Sequence, residues 1–202
     1  MAITISGSGI TSSNIADGTI VNADVSDVAA SKLTGALPAI DGSALTGVGG
    51  GITMVDQWKL TAPKTTNGTL TDLARPTWSG FGRIGGTGMS VANGIFTFPS
   101  TGIYAIYSKL VWSTSGSDTC DSATYLTTDN SNYTNIDYVT DGMNGSGVRN
   151  SGSMGAVIVD VTDVSQVKMY FTVGSLGSGS SIQGGTESYN LTSFTFIRLG
   201  DT

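Results

Sequence analysis

The chain has 202 residues, a formal net charge of −6 and no histidine. Its 9 basic residues are scattered, so it lacks the cationic patch that nucleic-acid binding needs, and no apolar run is long enough to cross a membrane. Without histidine there are no Ser-His or Cys-His nucleophiles and none of the usual zinc sites, so we expect no catalysis, no metal and no other cofactor.

Glycine content and charge indicate the class of fold. The chain has 29 glycines, and charged residues make up only 12% of it, about half the usual share. This composition favours short strands and tight turns over long solvated helices. The start of the chain shows no secretory signal, and Cys120 stands alone, so we expect a small buried thiol and no disulfide framework.

Residues 1–51 have a pattern of their own, and we interpret them as an N-terminal attachment arm. Apolar residues recur there at every fifth position, a spacing that fits neither a strand nor a helix: Ile10, Ile15, Ile20 and Val25. The region has too few apolar residues to fold alone, so it should be extended and dock on neighbouring chains. A short helix is predicted inside it, with an N-cap at Asp24 and a stop at Gly35.

From residue 52 onward the pattern is that of β-strands separated by Gly, Asn, Asp and Ser turns. We predict an all-β head domain over residues 52–202, an antiparallel sandwich of about eight to ten strands. The candidate strands, quoted from the sequence, are ITMVDQWKL, GIFTF, GIYAIYSKLVW, CDSATYLTT, YTNIDYV, GAVIVDVT, QVKMYFTV and NLTSFTFIRL.

The strand GIYAIYSKLVW is apolar on both faces. By alternation, the residues of the face that we assign to the core are Tyr104, Ile106, Leu110 and Trp112. The residues of the opposite face are Ile103, Ala105, Tyr107, Lys109 and Val111. A half-buried strand needs only one apolar face, so we expect a neighbouring subunit to cover the second.

Three segments of the head resemble the tumour necrosis factor and complement component 1q superfamily. They are PSTGIYAIYSKLVW, GSMGAVIVDVTDVSQVKMYF and the closing SFTFIRLG. The resemblance implies a ten-stranded jelly roll that forms tight homotrimers, with Tyr104 and Ile106 in the core. It implies a trimer interface at Ile103, Ala105, Tyr107, Lys109 and Met154. The chain lacks a cysteine pair and an extended receptor-binding loop, so the resemblance implies no receptor.

The phrase SKLTGALPAIDGSALTGVGGG and the ending TFIRLGDT are similar to segments of bacteriophage fibre proteins. This resemblance implies a virion protein, assembled in the host cytoplasm, whose arm docks on a capsid or tail protein. Its trimeric head would adsorb to a host-surface glycan or protein, and capsid decoration is the alternative. Two other classes stay open: a polysaccharide-degrading tailspike, with two carboxylates about 5–9.5 Å apart, and a cellular complement-like binding module, typically with a signal peptide and a collagen-like stalk.

The head also contains candidate ligand sites. Its loops are rich in aspartates, namely Asp118, Asp121, Asp129, Asp137 and Asp141, but their spacing matches no regular calcium loop, so they are interpreted as turn formers. Tyr125, Tyr133 and Tyr138 form either a sugar- or protein-binding surface or a set of half-buried strand aromatics.

Two further interpretations concern loops and carboxylates. Asp160 and Asp163, the pair on which a hydrolase would depend, are typical of a strand end and a turn. We expect ligand contacts on the loops farthest from the arm, because such loops vary without disturbing the core. The candidate loops are residues 115–121, 128–135 and 174–185.

Overall fold

The computed structural model describes Ala16, Val21 and residues 52–78, 80, 82–145, 147–185 and 189–202. The chain divides into two units, Met1–Val48 and Gly49–Thr202, and every strand among the described residues belongs to the second. The predicted helix, the fivefold apolar spacing and the attachment arm lie outside the described residues. None of the described residues belongs to a helix long and apolar enough to span a bilayer.

The described residues of the head form thirteen strands, and the eight predicted strands are all among them. These eight are β1 (Met54–Leu60), β6 (Ile95–Thr97), β7 (Gly102–Thr114), β8 (Asp118–Thr127), β9 (Thr134–Met143), β10 (Arg149–Val161), β11 (Lys168–Gly174) and β13 (Ser193–Gly200). The other five have two or three residues each and were not predicted. They are β2 (Gly68–Thr69), β3 (Leu73–Ala74), β4 (Arg83–Gly85), β5 (Ser90–Ala92) and β12 (Ser181–Ile182).

The strands form two antiparallel sheets. Within the described residues, a seven-stranded sheet has the order β10-β7-β13-β1-β3, with β12 also paired to β7 and β4 to β1. A six-stranded sheet has the order β5-β6-β11-β8-β9, with β2 also paired to β11. β7 is long enough to pair with β13 along its first half and with β12 near its end. This architecture is the predicted antiparallel sandwich.

Aromatic rings join the two sheets. Phe96 of β6 lies 5.5 Å from Trp58 of β1 and 4.8 Å from Phe196 of β13, between ring centroids. Phe171 of β11 stacks on Phe194 of β13 at 3.9 Å. All five rings are buried, and such pairs contribute about 0.5–1.5 kcal/mol each beyond the burial of their area.

The four residues assigned to the core of β7, Tyr104, Ile106, Leu110 and Trp112, are fully buried. The polar atoms of the two aromatic ones have partners. The Tyr104 hydroxyl donates to the carbonyl of Ser100 at 2.9 Å, and Trp112 Nε1 donates to Ser153 Oγ at 3.2 Å. A buried donor with a partner avoids the penalty of desolvation, so both large rings are accommodated in the core.

β9 is an edge strand of the six-stranded sheet. Its pairing with β8 shifts register between Thr124 and Tyr125. Asp137 of β9 lies against Gly155 of β10, in the other sheet, and a Cβ at position 155 would collide with the Asp137 carboxylate. The glycine therefore permits a charged side chain to point inward where the edges of the two sheets meet.

Asp56 is a buried carboxylate on the inward face of β1. It accepts hydrogen bonds from Nε and Nη2 of Arg75, at 2.7 and 2.8 Å, and from the backbone N of Met89 at 2.7 Å. Trp58 Nε1 also donates to it at 3.1 Å, and the Arg75 guanidinium lies 4.3 Å from the centre of the Trp58 ring. Because Arg75 and Met89 flank β4, these contacts hold β4 beside β1.

We expect Arg75→Ala to destabilise the head strongly. The substitution leaves the Asp56 carboxylate buried without its counterion, and breaking such a pair costs about 3–5 kcal/mol. The free energy of unfolding, measured with urea, reports the loss. Arg83→Ala, at an exposed position of β4, is the control and should change that free energy by less than about 0.5 kcal/mol. Equal losses in both variants would contradict the role of the ion pair.

Candidate functional site

The outward face of the seven-stranded sheet carries the residues predicted for the trimer interface. On β7, Ala105 is buried, Ile103 is half-buried, Lys109 is exposed and Tyr107 is 39% exposed. Met154 is 69% exposed and lies opposite Lys109 in the pairing of β10 with β7. These five residues therefore share one face of the sheet, which points away from the core.

An apolar row crosses this face from β10 to β4. Strand pairing places its members side by side on five strands, in the order Ile158, Ala105, Ile197, Val55 and Ile84. The end members, Ile158 and Ile84, are each 66% exposed. Of this row, only Ala105 was predicted from the sequence, since no local pattern specifies the register of the other strands.

Polar groups border the apolar row on one side. Lys109 Nζ donates to the carbonyl of Asn190 at 2.9 Å. Asn190 Nδ2 donates to Gln57 Oε1 at 2.8 Å, and Gln57 Nε2 donates to Thr195 Oγ1 at 2.9 Å. The register places Tyr107 between Lys109 and the apolar row. A backbone carbonyl therefore holds the Lys109 ammonium, and Tyr107 separates Lys109 from the apolar row.

A groove of about 230 Å³ opens at the β4 end of the apolar row. It is lined by Val55, Gln57, Gly80, Gly82 and Ile84. A side chain at Gly80 would point into open space, whereas a Cβ at Gly82 would collide with Pro76. The groove lies at the opposite end of the row from Ile158.

The outward face of the six-stranded sheet is built differently. Tyr125 and Tyr133 contact Tyr170 of β11 there, and Tyr138 lies on the same face, opposite Ala123 in the pairing of β9 with β8. Tyr125 and Tyr170 stack with their centroids 4.9 Å apart and their planes at 10°, and Tyr133 lies 4.9 Å from Tyr170 at 57°. We call these four side chains the tyrosine platform.

The three candidate loops lie at opposite ends of the head. Residues 128–135 lie beside Gln166, because the backbone N of Asn130 donates to the Gln166 carbonyl at 2.9 Å. This loop is at the end of the head where β1 begins and β13 ends. Residues 115–121 and 174–185 lie at the other end. The three candidate loops therefore do not share one end of the head, because the direction of β8 carries residues 128–135 back to the end where β1 begins.

Asp118 joins two loops at the end opposite Ile52. It accepts hydrogen bonds from the Ser180 hydroxyl and from the backbone N of Gly177, the latter at 2.9 Å. The backbone N of Thr119 also donates to it at 2.9 Å. The Ser180 hydrogen bond is the main reason why the pKa of Asp118 lies below its ordinary value. Residues 115–121 and 174–185 thus form one connected surface.

Two of the other acidic side chains, Asp163 and Asp129, are engaged by residues of their own turns. The Asp163 carboxylate accepts from N and Oγ of Ser165, which lowers the pKa of Asp163, and Asp129 is bound in the same way by Asn132. Asp160 is exposed near the end of β10. Within the part of the chain that the structure describes, no group of three or more acidic or cysteine side chains is placed to hold a metal ion.

Burial raises the pKa of the Cys120 thiol to about 11.

No protein-family model and no curated protein matches the sequence. Solved structures do match it. The crystal structure of murine APRIL at pH 5.0 is 13% identical and covers 72% of this chain and 98% of its own, with a TM-score of 0.51. The structure of murine APRIL at pH 8.0 is 12% identical with the same coverage and a TM-score of 0.50. APRIL is a jelly roll of the tumour necrosis factor family, so the similarity confirms the predicted all-β, tumour necrosis factor-like jelly-roll fold.

We expect Asp118→Asn to lower the melting temperature near neutral pH but not in acid. The pKa of Asp118 is lowered by folding, so its ionised form stabilises the fold above the ordinary pKa of 3.8. That contribution is lost as the pH falls through the lower folded value. The difference in melting temperature between wild type and variant should therefore shrink below about pH 4. Asp160→Asn is the control, and a difference for Asp118→Asn that persisted at about pH 2 would contradict the assignment.

Proposed function

We propose that this chain is a non-enzymatic structural protein of a bacteriophage particle. Three copies form a fibre whose heads, residues 52–202, are displayed for adsorption to the host surface. Residues 1–51 attach the trimer to a capsid or tail protein. The protein joins the particle in the host cytoplasm, and its head binds a cell-surface glycan or protein without chemical turnover.

The observation that carries this proposal is the apolar row. Large exposed apolar patches are uncommon on monomeric proteins and mark interaction surfaces. Ile158, Ile84 and Met154 stand exposed on this one face, and burying a side chain of this size is worth about 1.5–3 kcal/mol. A neighbouring copy that covered the face would gain this energy at every interface of a closed ring.

The two ends of the apolar row favour a ring over a two-fold dimer. A ring uses two different, complementary surfaces of each copy. Ile158 projects at the β10 end, whereas the groove beside Val55 and Ile84 opens at the β4 end. One copy can thus insert its β10 edge into the groove of the next copy around a three-fold axis, as the resemblance to the tumour necrosis factor superfamily implies.

The face also suits close contact between copies. Ala105, in the row, is small enough to let another chain approach the sheet, and Tyr107 beside it supplies a large ring. The hydrogen bond of Lys109 to the carbonyl of Asn190 gives the ammonium a partner within its own chain. Copies would therefore meet through apolar and aromatic groups rather than through three facing ammonium groups.

The particle context is supported by the sequence. The phrase SKLTGALPAIDGSALTGVGGG and the ending TFIRLGDT are similar to segments of phage fibre proteins. An adsorption role fits a three-fold assembly, because identical weak sites acting together bind a surface far more strongly than one site does.

We expect the full-length chain to be a trimer in native mass spectrometry at micromolar concentration. Tyr107→Asp and Ile158→Asp should each release monomers, because they would bury carboxylates in a contact between copies. Ile136→Asp is the matched control, since Ile136 is exposed on β9 in the other sheet, and this variant should remain trimeric. A stable wild-type monomer under these conditions would refute the proposed assembly.

The adsorption role is tested by adding the purified trimer to host cells before the particles. We expect saturable binding to the cells and a matching decrease in particle adsorption. Trimer that fails to bind, with adsorption undiminished, would favour capsid decoration over adsorption. Release of reducing sugar from host envelope polysaccharide would contradict the non-enzymatic assignment.

Particles made with a chain that lacks residues 1–51 test whether these residues attach the trimer to the particle. The truncated head should still form trimers, and mass spectrometry of the purified particles should not detect it. Normal incorporation of the truncated head would show that residues 1–51 are not the anchor.

A further inference from the structure

The outward face of the six-stranded sheet surrounds the tyrosine platform with hydroxyl groups. Strand pairing places Thr172 of β11 beside Thr69 of β2, and Thr140 of β9 lies two residues from Tyr138 on the same face. The seven-stranded sheet, in contrast, presents the apolar row. A surface of aromatic rings and hydroxyls combines apolar contact area with many hydrogen-bond donors and acceptors.

The rings of the platform support one another. Tyr170 packs against both Tyr125 and Tyr133, each at 4.9 Å between centroids. Burial raises the pKa of Tyr133 and of Tyr170, and a tyrosine hydroxyl is already a protonated donor at neutral pH. Because Tyr170 limits the rotation of Tyr125 and Tyr133, these three rings keep their arrangement without a ligand.

Strand pairing places Tyr138 diagonally across from a carboxylate, Asp121. The side chain of Tyr138 is 56% exposed, whereas Asp121 is buried. A hydrogen bond with Asp121 raises the pKa of Tyr138. Gly174, paired with Asp121, makes room for this carboxylate, because a Cβ at position 174 would collide with it. A ring that keeps this contact with Asp121 loses less conformational entropy when a ligand packs on it than an unrestrained ring does.

The charges indicate an uncharged ligand. The net charge of −6 opposes the approach of polyanions. The Asp121 carboxylate is engaged by Tyr138, and Lys168 lies beyond Tyr170 on the same face by alternation along β11. A neutral saccharide matches this surface, since its C–H groups pack on aromatic rings and its hydroxyls pair with protein hydroxyls.

We propose that the tyrosine platform is a binding site for a neutral saccharide. One sugar ring packs on the exposed face of Tyr138, and its hydroxyls pair with Thr140 and with the hydroxyls of the other tyrosines. The choice of a saccharide rests on the proposed adsorption function, whereas the position of the site rests on the geometry of the platform. A trimer carries three such sites, on the sheet that does not bear the apolar row.

Isothermal titration calorimetry of the full-length protein tests the site. The probes are neutral hexasaccharides of glucose, galactose, mannose and N-acetylglucosamine. We expect at least one to bind with a millimolar or lower Kd, and Tyr138→Ala to weaken that binding about tenfold, the loss expected for one aromatic contact. Tyr138→Phe retains the ring but loses the Asp121 anchor, so it should weaken binding less than Tyr138→Ala.

Tyr189→Ala is the matched control, because Tyr189 is an exposed tyrosine outside the platform, and it should leave the Kd unchanged. Absence of binding by all four hexasaccharides, or equal losses in Tyr138→Ala and Tyr189→Ala, would overturn the inference. If saccharide binding failed while the trimer still blocked particle adsorption, the site would be wrong and the adsorption role would stand. If a hexasaccharide bound but the trimer did not reduce particle adsorption, the site would stand and the adsorption role would be wrong.

Discussion

The packing of Phe96 against rings of both sheets is the interaction on which the rest of the head depends. It determines which face of each strand points inward, and the side-chain period of two then determines every outward position. With Phe194 and Phe196 in the interior, Ile197, the residue after Phe196, has to face outward, in line with Ala105. The apolar row is thus a consequence of how the core is packed. A slip of one residue in β13 would exchange the two sets of side chains.

The fold could be predicted as far as alternation within single strands allows. Both faces of β7 could be assigned because Tyr104 and Ala105 alternate within one long segment. The apolar row could not be predicted, since Ile158 comes beside Ala105 only through strand pairing. The strands β2 to β5 and β12 contain too few residues to show alternation. The separation of the loop 128–135 from the loops 115–121 and 174–185 could not be predicted, because it depends on how β8 pairs with its neighbours in the sheet.

The two outward faces of the sandwich differ in chemistry, and this difference matches the two contacts proposed for them. One sheet presents aliphatic side chains in a row with a groove at one end, which suits permanent contact with another copy. The other presents tyrosines held by their neighbours and by Asp121, which suits reversible contact with a polar ligand. Both arrangements depend on contacts between residues distant in the sequence. The ion pair of Asp56 and Arg75, which holds β4 and Ile84 in place, is another such contact.

The geometry of the edge strand β9 affects how readily copies of the head associate when they are close together. An edge offers unpaired N–H and C=O groups to any other strand, and oligomers bring such edges close together. The register shift beside Tyr125 interrupts the regular edge, and Asp137, turned inward against Gly155, would leave a buried charge in any sheet that continued past it. Strand-by-strand aggregation into fibrils is thereby disfavoured. The shape of one strand thus opposes association at this edge, in a chain in which charged residues make up only 12%.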